Sequence, residues 1–170
     1  KPVGVLSTVK TPGKRTTVRD LVSIPGRLYP VGRLDYESEG LVLMTNDGKL
    51  TNRLTHPRYE HQKEYRVLLK EDPDQQQLNA WRRGIHLKSG EKTLPAEVWI
   101  EEREPQGTWM GVILREGKNR QLRQMAEATR LTVLRLIRVR IASLQLGDLE
   151  PGKWRRLSLT EVTNLKQNSH

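Results

Sequence analysis

Three carboxylates lie within five residues of one another in a sequence that is otherwise rich in positive charge. They are Asp35, Glu37 and Glu39, in the segment Gly32–Leu41. This segment is predicted to be a loop leading into a buried strand, and loops held by a rigid strand are common positions for catalytic groups. A carboxylate among basic side chains stays ionised and can act as a nucleophile or a general base. The alternative, which composition alone favours, is that these are solvated loop acids that neutralise nearby arginines.

A basic cluster marks the start of the clearest amphipathic helix, which is predicted over Asn119–Arg130. The residues that share its apolar face are Leu122, Met125, Ala126 and Thr129. Asn119 is a good N-cap, and Lys118, Arg120 and Arg123 crowd the positive end of the helix dipole, where cations are unfavourable. A bound phosphate or carboxylate would explain this placement. An equal alternative is that these cations lie on a solvated face of the helix, which tolerates their unfavourable interaction with the dipole.

Arginines alternate with apolar residues along the extended segment Leu134–Ile141. Apolar residues occupy even positions as far as Leu136 and odd positions from Ile137, so a bulge or bend is predicted between these two residues. After this bend, Arg138 and Arg140 point to the same face, and such a pair suits a phosphate backbone. An exposed strand face kept soluble by arginine is an equal alternative.

Tyr65 lies between charged residues in the predicted strand Lys63–Lys70. A tyrosine at this position can stack on a base or transfer a proton. The alternative, which the residue types alone favour, is that this tyrosine is only a packed amphipathic side chain, the default for a tyrosine in a strand.

The overall charge indicates a polyanionic partner, most often nucleic acid. Lys and Arg number 30 and Asp and Glu 20, which gives a net charge of +10 over 170 residues. Two basic segments, residues 1–35 and 111–140, flank a near-neutral middle. The absence of Cys excludes disulfides, Cys-ligated metal sites and a thiol nucleophile. The four His lack zinc-ligand spacing, there is no Gly-rich phosphate loop, and no apolar run is long enough to span a bilayer.

Hydrophobic periodicity and turn residues predict more strands than helices, without strict βαβ alternation. The predicted strands are Val3–Thr8, Leu28–Val31, Gly40–Thr45, Lys63–Lys70, Ala96–Glu101, Trp109–Arg115, Val133–Leu146 and Lys153–Leu159. The predicted helices are Thr17–Val22, Lys49–Thr55, Pro73–Arg83 and Asn119–Arg130, and turns are predicted at Thr11–Lys14 and Asn46–Gly48. This pattern favours an α+β fold with a mixed, largely antiparallel sheet.

The motifs above, taken in order, closely resemble those of bacterial ribosomal-RNA pseudouridine synthases of the RsuA-like branch. The segments that carry the resemblance are Lys1–Gly4, Gly32–Asp35, Ser38–Leu41, Thr45–Gly48, Lys63–Val67, Glu116–Met125 and Leu136–Ile141. They extend over essentially the whole chain. The resemblance implies one pseudouridine synthase catalytic domain over residues 1–170, with two lobes of about residues 1–60 and 61–170, flanking helices and a central active-site cleft.

The resemblance also implies an activity that needs no metal and no cofactor. A specific uridine of ribosomal RNA, expected to be in the large-subunit rRNA, is isomerised to pseudouridine: uracil is detached from its ribose, turned and rejoined through carbon 5. Asp35 is then the catalytic carboxylate, Tyr65 packs on the target base and assists proton transfer, and Arg123 pairs with the catalytic carboxylate. The residues expected to bind RNA are Arg33, Lys118, Asn119, Arg120, Arg138 and Arg140.

Ribosomal RNA, free or in a ribosome assembly intermediate, is the expected partner of a cytoplasmic monomer without membrane contact. Members of the family extrude the target nucleotide from its stack, and the two basic segments would hold the RNA backbone meanwhile. Many members carry a small N-terminal domain resembling ribosomal protein S4, and this sequence starts directly at the first catalytic strand. The alternative function is a non-catalytic basic RNA-binding or ribosome-assembly protein on the same fold. Carboxylate-based hydrolysis would need two carboxylates facing each other across a cleft, and the acidic residues here form only a local cluster.

Overall fold

Eight strands and four helices lie within residues 1–10 and 13–167, which the computed structural model describes. The strands are β1 (Tyr29–Pro30), β2 (Glu39–Gly40), β3 (Met44–Thr45), β4 (Lys63–Leu69), β5 (Glu97–Glu104), β6 (Gly107–Leu114), β7 (Val133–Ile141) and β8 (Leu144–Gln145). The helices are α1 (Gly48–Thr55), α2 (Gln75–Arg83), α3 (Gln121–Ala128) and α4 (Leu159–Gln167), and a 3₁₀ turn covers Pro57–Tyr59. None of these helices in the described ranges is long and apolar enough to cross a membrane.

The chain divides into two units, of which the first comprises residues 1–61 and 138–170. Both of its segments contribute to one apolar core. The buried residues of that core are Val31, Leu41, Leu43, Leu50, Leu54, Ile141, Leu144 and Leu165. Helix α1 presents two of these leucines four residues apart on one face, and it starts at Asp47, whose carboxylate accepts the Leu50 N–H at 3.0 Å. The loop between β2 and β3 is therefore anchored by residues far apart in sequence.

The second unit comprises residues 62–137 and contains a sheet with strand order β7-β4-β6-β5. Strand β6 is antiparallel to both β4 and β5, with Tyr65 opposite Val112. Helix α2 begins with a capping box between Asp74 and Gln77 and packs against β5. The Trp81 indole Nε1 donates to Thr129 Oγ1 at 3.0 Å, and this bond connects α2 to the end of α3. The buried Trp81 thus helps to hold α3 in place within this unit.

Most predicted elements are confirmed, and so is the α+β class. Helix α1, helix α2 and strands β4, β5 and β6 lie where the periodicity predicts them, with ends shifted by a few residues. The predicted strand Gly40–Thr45 is wrong: residues 41–43 between β2 and β3 are irregular, and both backbone groups of Leu41 bond to Arg138. The predicted strand Val133–Leu146 is instead the hairpin β7–β8, in which Ile141 pairs with Leu144. Between them Ala142 adopts a left-handed conformation, with φ of 50°. The predicted turn Thr11–Lys14 falls partly on residues 11 and 12, outside the described residues.

Two predicted elements near the N-terminus are wrong. The segment Val3–Thr8 forms a single parallel bridge, Leu6 to Thr17, instead of a strand. The predicted helix Thr17–Val22 is a series of turns, because the Asp20 carboxylate accepts both the backbone N–H and the hydroxyl of Thr17 at 2.8 Å. A local bond of this kind competes with helix formation.

The predicted strand Lys153–Leu159 is also wrong, because residues 153–158 are irregular and helix α4 begins at Leu159. The Ser158 N–H donates to Glu161 Oε2 at 2.8 Å, and the Glu161 N–H donates to Ser158 Oγ at 3.2 Å. These reciprocal bonds form a capping box. The Ser-x-x-Glu spacing was a visible signal in the sequence, and the apolar alternation before it obscured the helix start.

Candidate active site

The loop that carries Asp35 is fixed at successive backbone groups. Ser7 Oγ accepts the Leu34 N–H at 3.0 Å and donates to the Leu34 carbonyl oxygen at 2.8 Å. The Ser38 N–H donates to the Asp35 carbonyl oxygen at 3.0 Å, and the Gly4 N–H to the Tyr36 carbonyl oxygen at 2.9 Å. These bonds hold the main chain on both sides of the half-buried Asp35. The Asp35 carboxylate therefore extends from a rigid support.

The guanidinium of Arg138 braces both ends of the same loop. Its Nε donates to the Leu41 carbonyl oxygen at 2.9 Å and its Nη1 to the Arg33 carbonyl oxygen at 3.2 Å. Arg138 is only 3% exposed, and its Nη2 is buried without a hydrogen-bond partner within residues 1–10 and 13–167. The expectation that Arg138 and Arg140 share an exposed face is thus wrong for Arg138. Its side chain instead satisfies carbonyl groups that the irregular backbone leaves unpaired.

The backbone of β7 approaches the end of the loop very closely. Gly40 has φ of +113°, and a Cβ placed there would lie 2.6 Å from the Arg138 amide nitrogen and still closer to its carbonyl oxygen. The next residue, Leu41, donates its N–H to that same carbonyl oxygen at 2.8 Å. Both the left-handed conformation and the close approach require glycine at position 40.

Lys1 is the residue near Asp35 to which sequence reasoning gave no role. Its Nζ donates to the Ser38 carbonyl oxygen at 2.6 Å. Burial lowers the pKa of the Lys1 side chain to about 8, and the negative charges of Asp35 and Glu39 partly oppose this shift. The positive charge of Arg138 adds to the lowering. Lys1, Asp35, Glu39 and Arg138 therefore form one electrostatic cluster, for which the only sequence signal was the opening Lys-Pro-x-Gly segment.

Tyr65 lies on the buried face of the sheet in the second unit. It is 8% exposed and opposite Val112, which is fully buried. Val67 and Leu69 follow it on the same face, as expected for the two-residue period of a strand. Tyr65 is therefore packed within the sheet, and this burial gives its ring a fixed orientation.

Helix α3 places Arg123 on its first turn, half-buried, beside the buried Leu122. The predicted N-cap Asn119 is wrong: the cap is Arg120, which has φ of 46° and makes no side-chain cap bond. Instead, the buried Gln121 accepts the Lys118 N–H at 3.0 Å. Left-handed conformations of non-glycine residues are costly and often mark functional segments.

The buried amide of Gln121 also holds the segment that precedes the helix. Its Nε2 donates to Glu116 Oε1 at 2.7 Å, and the same oxygen accepts the Leu94 N–H at 2.8 Å. Lys118 Nζ forms ion pairs with Glu91 at 3.2 Å and with Glu116 at 3.7 Å. Lys118, one of the three cations that crowd the helix start, is thus neutralised by neighbouring acids of the protein.

The remaining predicted RNA-binding residues divide between the two units. In the first unit Arg33 is exposed, and the half-buried Arg140 donates from Nη1 to the Ala142 carbonyl oxygen at 2.9 Å. In the second unit Asn119 and Arg120 are exposed, and the Asn119 carbonyl oxygen accepts the Gln124 side-chain amide at 2.6 Å. Arg33, Asn119 and Arg120 are therefore accessible to solvent.

A family model described as RNA pseudouridylate synthase matches residues 1–128. The chain belongs to this family. The segment that matches the RNA pseudouridylate synthase model includes Asp35, Tyr65 and Arg123, whereas Arg138 and Arg140 lie beyond it.

The chain is also similar to individual RNA pseudouridylate synthases. A ribosomal large subunit pseudouridine synthase E of Xanthomonas campestris is 42% identical over 91% of this chain and 91% of its own length. An uncharacterized RNA pseudouridine synthase of Aquifex aeolicus is 39% identical over 92% of this chain, which spans 63% of that relative's length. A crystal structure of a pseudouridylate synthase superposes with a TM-score of 0.85 at 30% identity, covering 97% of this chain and 70% of that one. The predicted family, fold and enzyme class are confirmed.

Proposed function

We propose that this chain isomerises a uridine of large-subunit ribosomal RNA to pseudouridine and that residues 1–170 form its catalytic domain. The observation that carries the proposal is Asp35 on a braced loop inside the segment that matches the family model. The similarity to the Xanthomonas ribosomal large subunit pseudouridine synthase E supports the substrate class. The net charge of +10 supports a polyanionic partner.

In this reaction the glycosidic carbon–nitrogen bond breaks and a bond from the ribose to uracil carbon 5 forms. The proton on carbon 5 leaves and the released ring nitrogen gains a proton, so substrate and product have the same composition. We assign Asp35 as the catalytic carboxylate, which acts at the sugar or as a base, because its rigid loop can hold it within reach of one nucleotide. The extruded nucleotide costs a few kcal/mol to unstack, and contacts to the RNA backbone offset that cost.

The other proposed roles follow the family resemblance. Tyr65 packs on the target base and assists proton transfer, and its burial gives the ring a fixed orientation. Arg123 supplies the positive charge that accompanies the catalytic carboxylate. Arg33 contacts the RNA at the extruded nucleotide. The further residues proposed to contact RNA are Lys118, Asn119, Arg120 and Arg140, whereas the buried Arg138 braces the Asp35 loop instead. A cytoplasmic monomer that acts on rRNA or on a ribosome assembly intermediate fits this function.

Release of tritium from rRNA labelled at uridine carbon 5 tests the proposal directly. The wild type should release label, and Asp35→Asn should release none while it still binds the RNA. Glu37→Gln is the matched control, because it removes a neighbouring exposed carboxylate of the same cluster and should keep activity. RNA binding by the wild type without any label release would instead identify a non-catalytic RNA-binding protein and overturn the proposal.

A further inference from the structure

The segment Lys153–Arg156 is an exposed stretch of irregular backbone in the first unit, directly before helix α4. Trp154 is 39% exposed, which is unusual for so large an apolar side chain. Lys153 and Arg156 are exposed, and neither forms an ion pair within the described residues. The segment therefore presents one aromatic ring between two cations that no neighbouring acid neutralises.

Arg155 differs from these two cations because it is used inside the protein. Its Nη1 and Nη2 donate to the two carboxylate oxygens of Glu161 at 2.9 and 2.6 Å. These bonds, with the one from the Ser158 N–H, hold the pKa of Glu161 at about 2. The bidentate pair fixes the main chain on which Trp154 is carried, because planar guanidinium–carboxylate pairs restrict orientation.

The same segment is anchored to the core that supports the Asp35 loop. Leu157 packs against that core, and Leu165 of α4 is buried in it together with Leu41, the residue that Arg138 braces. Lys166 adds an ion pair to Asp47 at 3.8 Å. A molecule held at Trp154 is thus held by the same rigid unit that carries the proposed catalytic carboxylate.

We propose that Lys153, Trp154 and Arg156 form a binding site for single-stranded RNA, in which a base stacks on the Trp154 ring and the two cations contact flanking phosphates. This inference rests on the proposed function and extends it to a site outside the matched motifs. An exposed aromatic ring between unpaired cations is the combination that binds single-stranded nucleic acid without sequence preference. The two cations of the segment favour an anionic occupant, and the net charge of +10 over the chain points to the same class of partner.

Fluorescence titration with a short oligouridylate tests the site. The chain has four Trp, so the emission of Trp154 is isolated by comparing the wild type with Trp154→Phe. Stacking should quench the wild-type emission, and Trp154→Phe should lose the quenching but keep most of the affinity, which is read for every variant from the anisotropy of a dye-labelled oligouridylate. Trp154→Ala should weaken binding about tenfold or more, as expected for one lost base stack. The matched control is Trp99→Ala, which removes a Trp of similar exposure, 36%, and should bind like the wild type.

The two cations are tested by the salt dependence of the same titration. Lys153→Gln and Arg156→Gln should each lower the slope of log Kd against log salt by about 0.7, the value for one phosphate contact on a single strand. Equal affinities of Trp154→Ala and Trp99→Ala for the oligouridylate would overturn the proposed RNA site. Absence of oligouridylate binding by the wild type would also overturn it, and a protein would then be the better candidate for the partner of this segment.

The titration is carried out in parallel on the Asp35→Asn variant, so that binding is measured without turnover. Loss of oligouridylate binding in Trp154→Ala, together with absent label release by the wild type, would reject the proposed activity and keep the RNA site. Normal label release with an unchanged KM in Trp154→Ala would keep the proposed activity and reject the RNA site. If both proposals hold, Trp154→Ala should raise KM for the rRNA and leave kcat close to that of the wild type.

Discussion

The guanidinium Nε of Arg138 lies 2.9 Å from the carbonyl oxygen of Leu41, a residue 97 positions away in sequence. With the second bond to Arg33, one side chain spans the whole loop around Asp35. Arg138→Gln should leave these buried carbonyl groups unsatisfied, at about 1–3 kcal/mol of unfolding free energy each. Because the loop then loses its fixed position, kcat should fall about 10- to 100-fold with KM for RNA little changed.

Arg138→Lys and Arg82→Lys separate positioning from stability in this experiment. Arg138→Lys keeps the charge but cannot reach both carbonyl groups, so it should show most of the loss in kcat. Arg82 donates a comparable bond to the Val98 carbonyl oxygen at 2.9 Å in the second unit. Its lysine variant should lose stability and keep kcat. Equal effects of the two lysine variants on kcat would argue against a positioning role for Arg138.

Gly40→Ala should be among the most damaging single substitutions of the chain. A Cβ at this position overlaps the Arg138 backbone, and φ is +113°. We expect a loss of about 3 kcal/mol or more in unfolding free energy, measured by urea denaturation. Gly90→Ala is the matched control, since Gly90 also has positive φ, +86°, but nothing lies within 4 Å of its Cβ position. It should cost only about 1 kcal/mol, the cost of backbone strain alone. A similar loss in both variants would show that the close approach contributes nothing.

Ser7→Ala should weaken the loop from its other side. The Ser7 hydroxyl satisfies both the N–H and the carbonyl oxygen of Leu34, the residue before Asp35. Its removal should lower the free energy of unfolding by about 1–3 kcal/mol and lower kcat in the tritium-release assay. Thr8→Ala removes an exposed hydroxyl that bonds to the Lys10 carbonyl oxygen, and it should change neither quantity. Unchanged kcat in Ser7→Ala would mean that the remaining bonds suffice to hold Asp35.

The pair of Arg155 and Glu161 should make stability depend on pH below about 5. The pKa of Glu161 is about 2 in the folded state, against an ordinary value of 4.5. A lowered carboxyl pKa stabilises the folded state fully above the ordinary value, and this contribution is lost as the pH falls towards 2. The difference in melting temperature between wild type and Glu161→Gln should therefore be largest above pH 5 and shrink below it. A difference independent of pH would contradict this assignment.

The parts of the fold that the sequence predicted are those in which local signals agree with the final packing. Helix α1 combines the Asp47 cap with leucines four residues apart, and β4 alternates with the sheet's two-residue period. The helix predicted at Thr17–Val22 failed because one Asp20 carboxylate outcompeted a weak helical propensity. At Ser158 the Ser-x-x-Glu spacing of a capping box is present in the sequence, but the apolar residues before it predict a strand that the structure does not form.

At the candidate site, the residue types could be chosen from the sequence but their surroundings could not. The motif around Asp35 was visible as a local cluster of acids. The use of Arg138 as an internal brace depends on a contact across 97 residues, which no local pattern encodes. Alternation predicted an exposed Arg138, because it assumes that a charged strand residue faces solvent. The unpaired carbonyl groups of an irregular loop changed that outcome.

The core of the first unit has a consequence for the order of events during synthesis. It joins Leu50 and Leu54 with Ile141, Leu144 and Leu165, so it cannot close until Leu165 has left the ribosome. Residues 62–137, in contrast, are continuous in sequence and dominated by the antiparallel pairings β4–β6 and β5–β6. Contacts between distant segments form slowly. We therefore expect the inserted unit to fold first and the Asp35 loop to gain its brace last, which makes the acquisition of activity a late folding event.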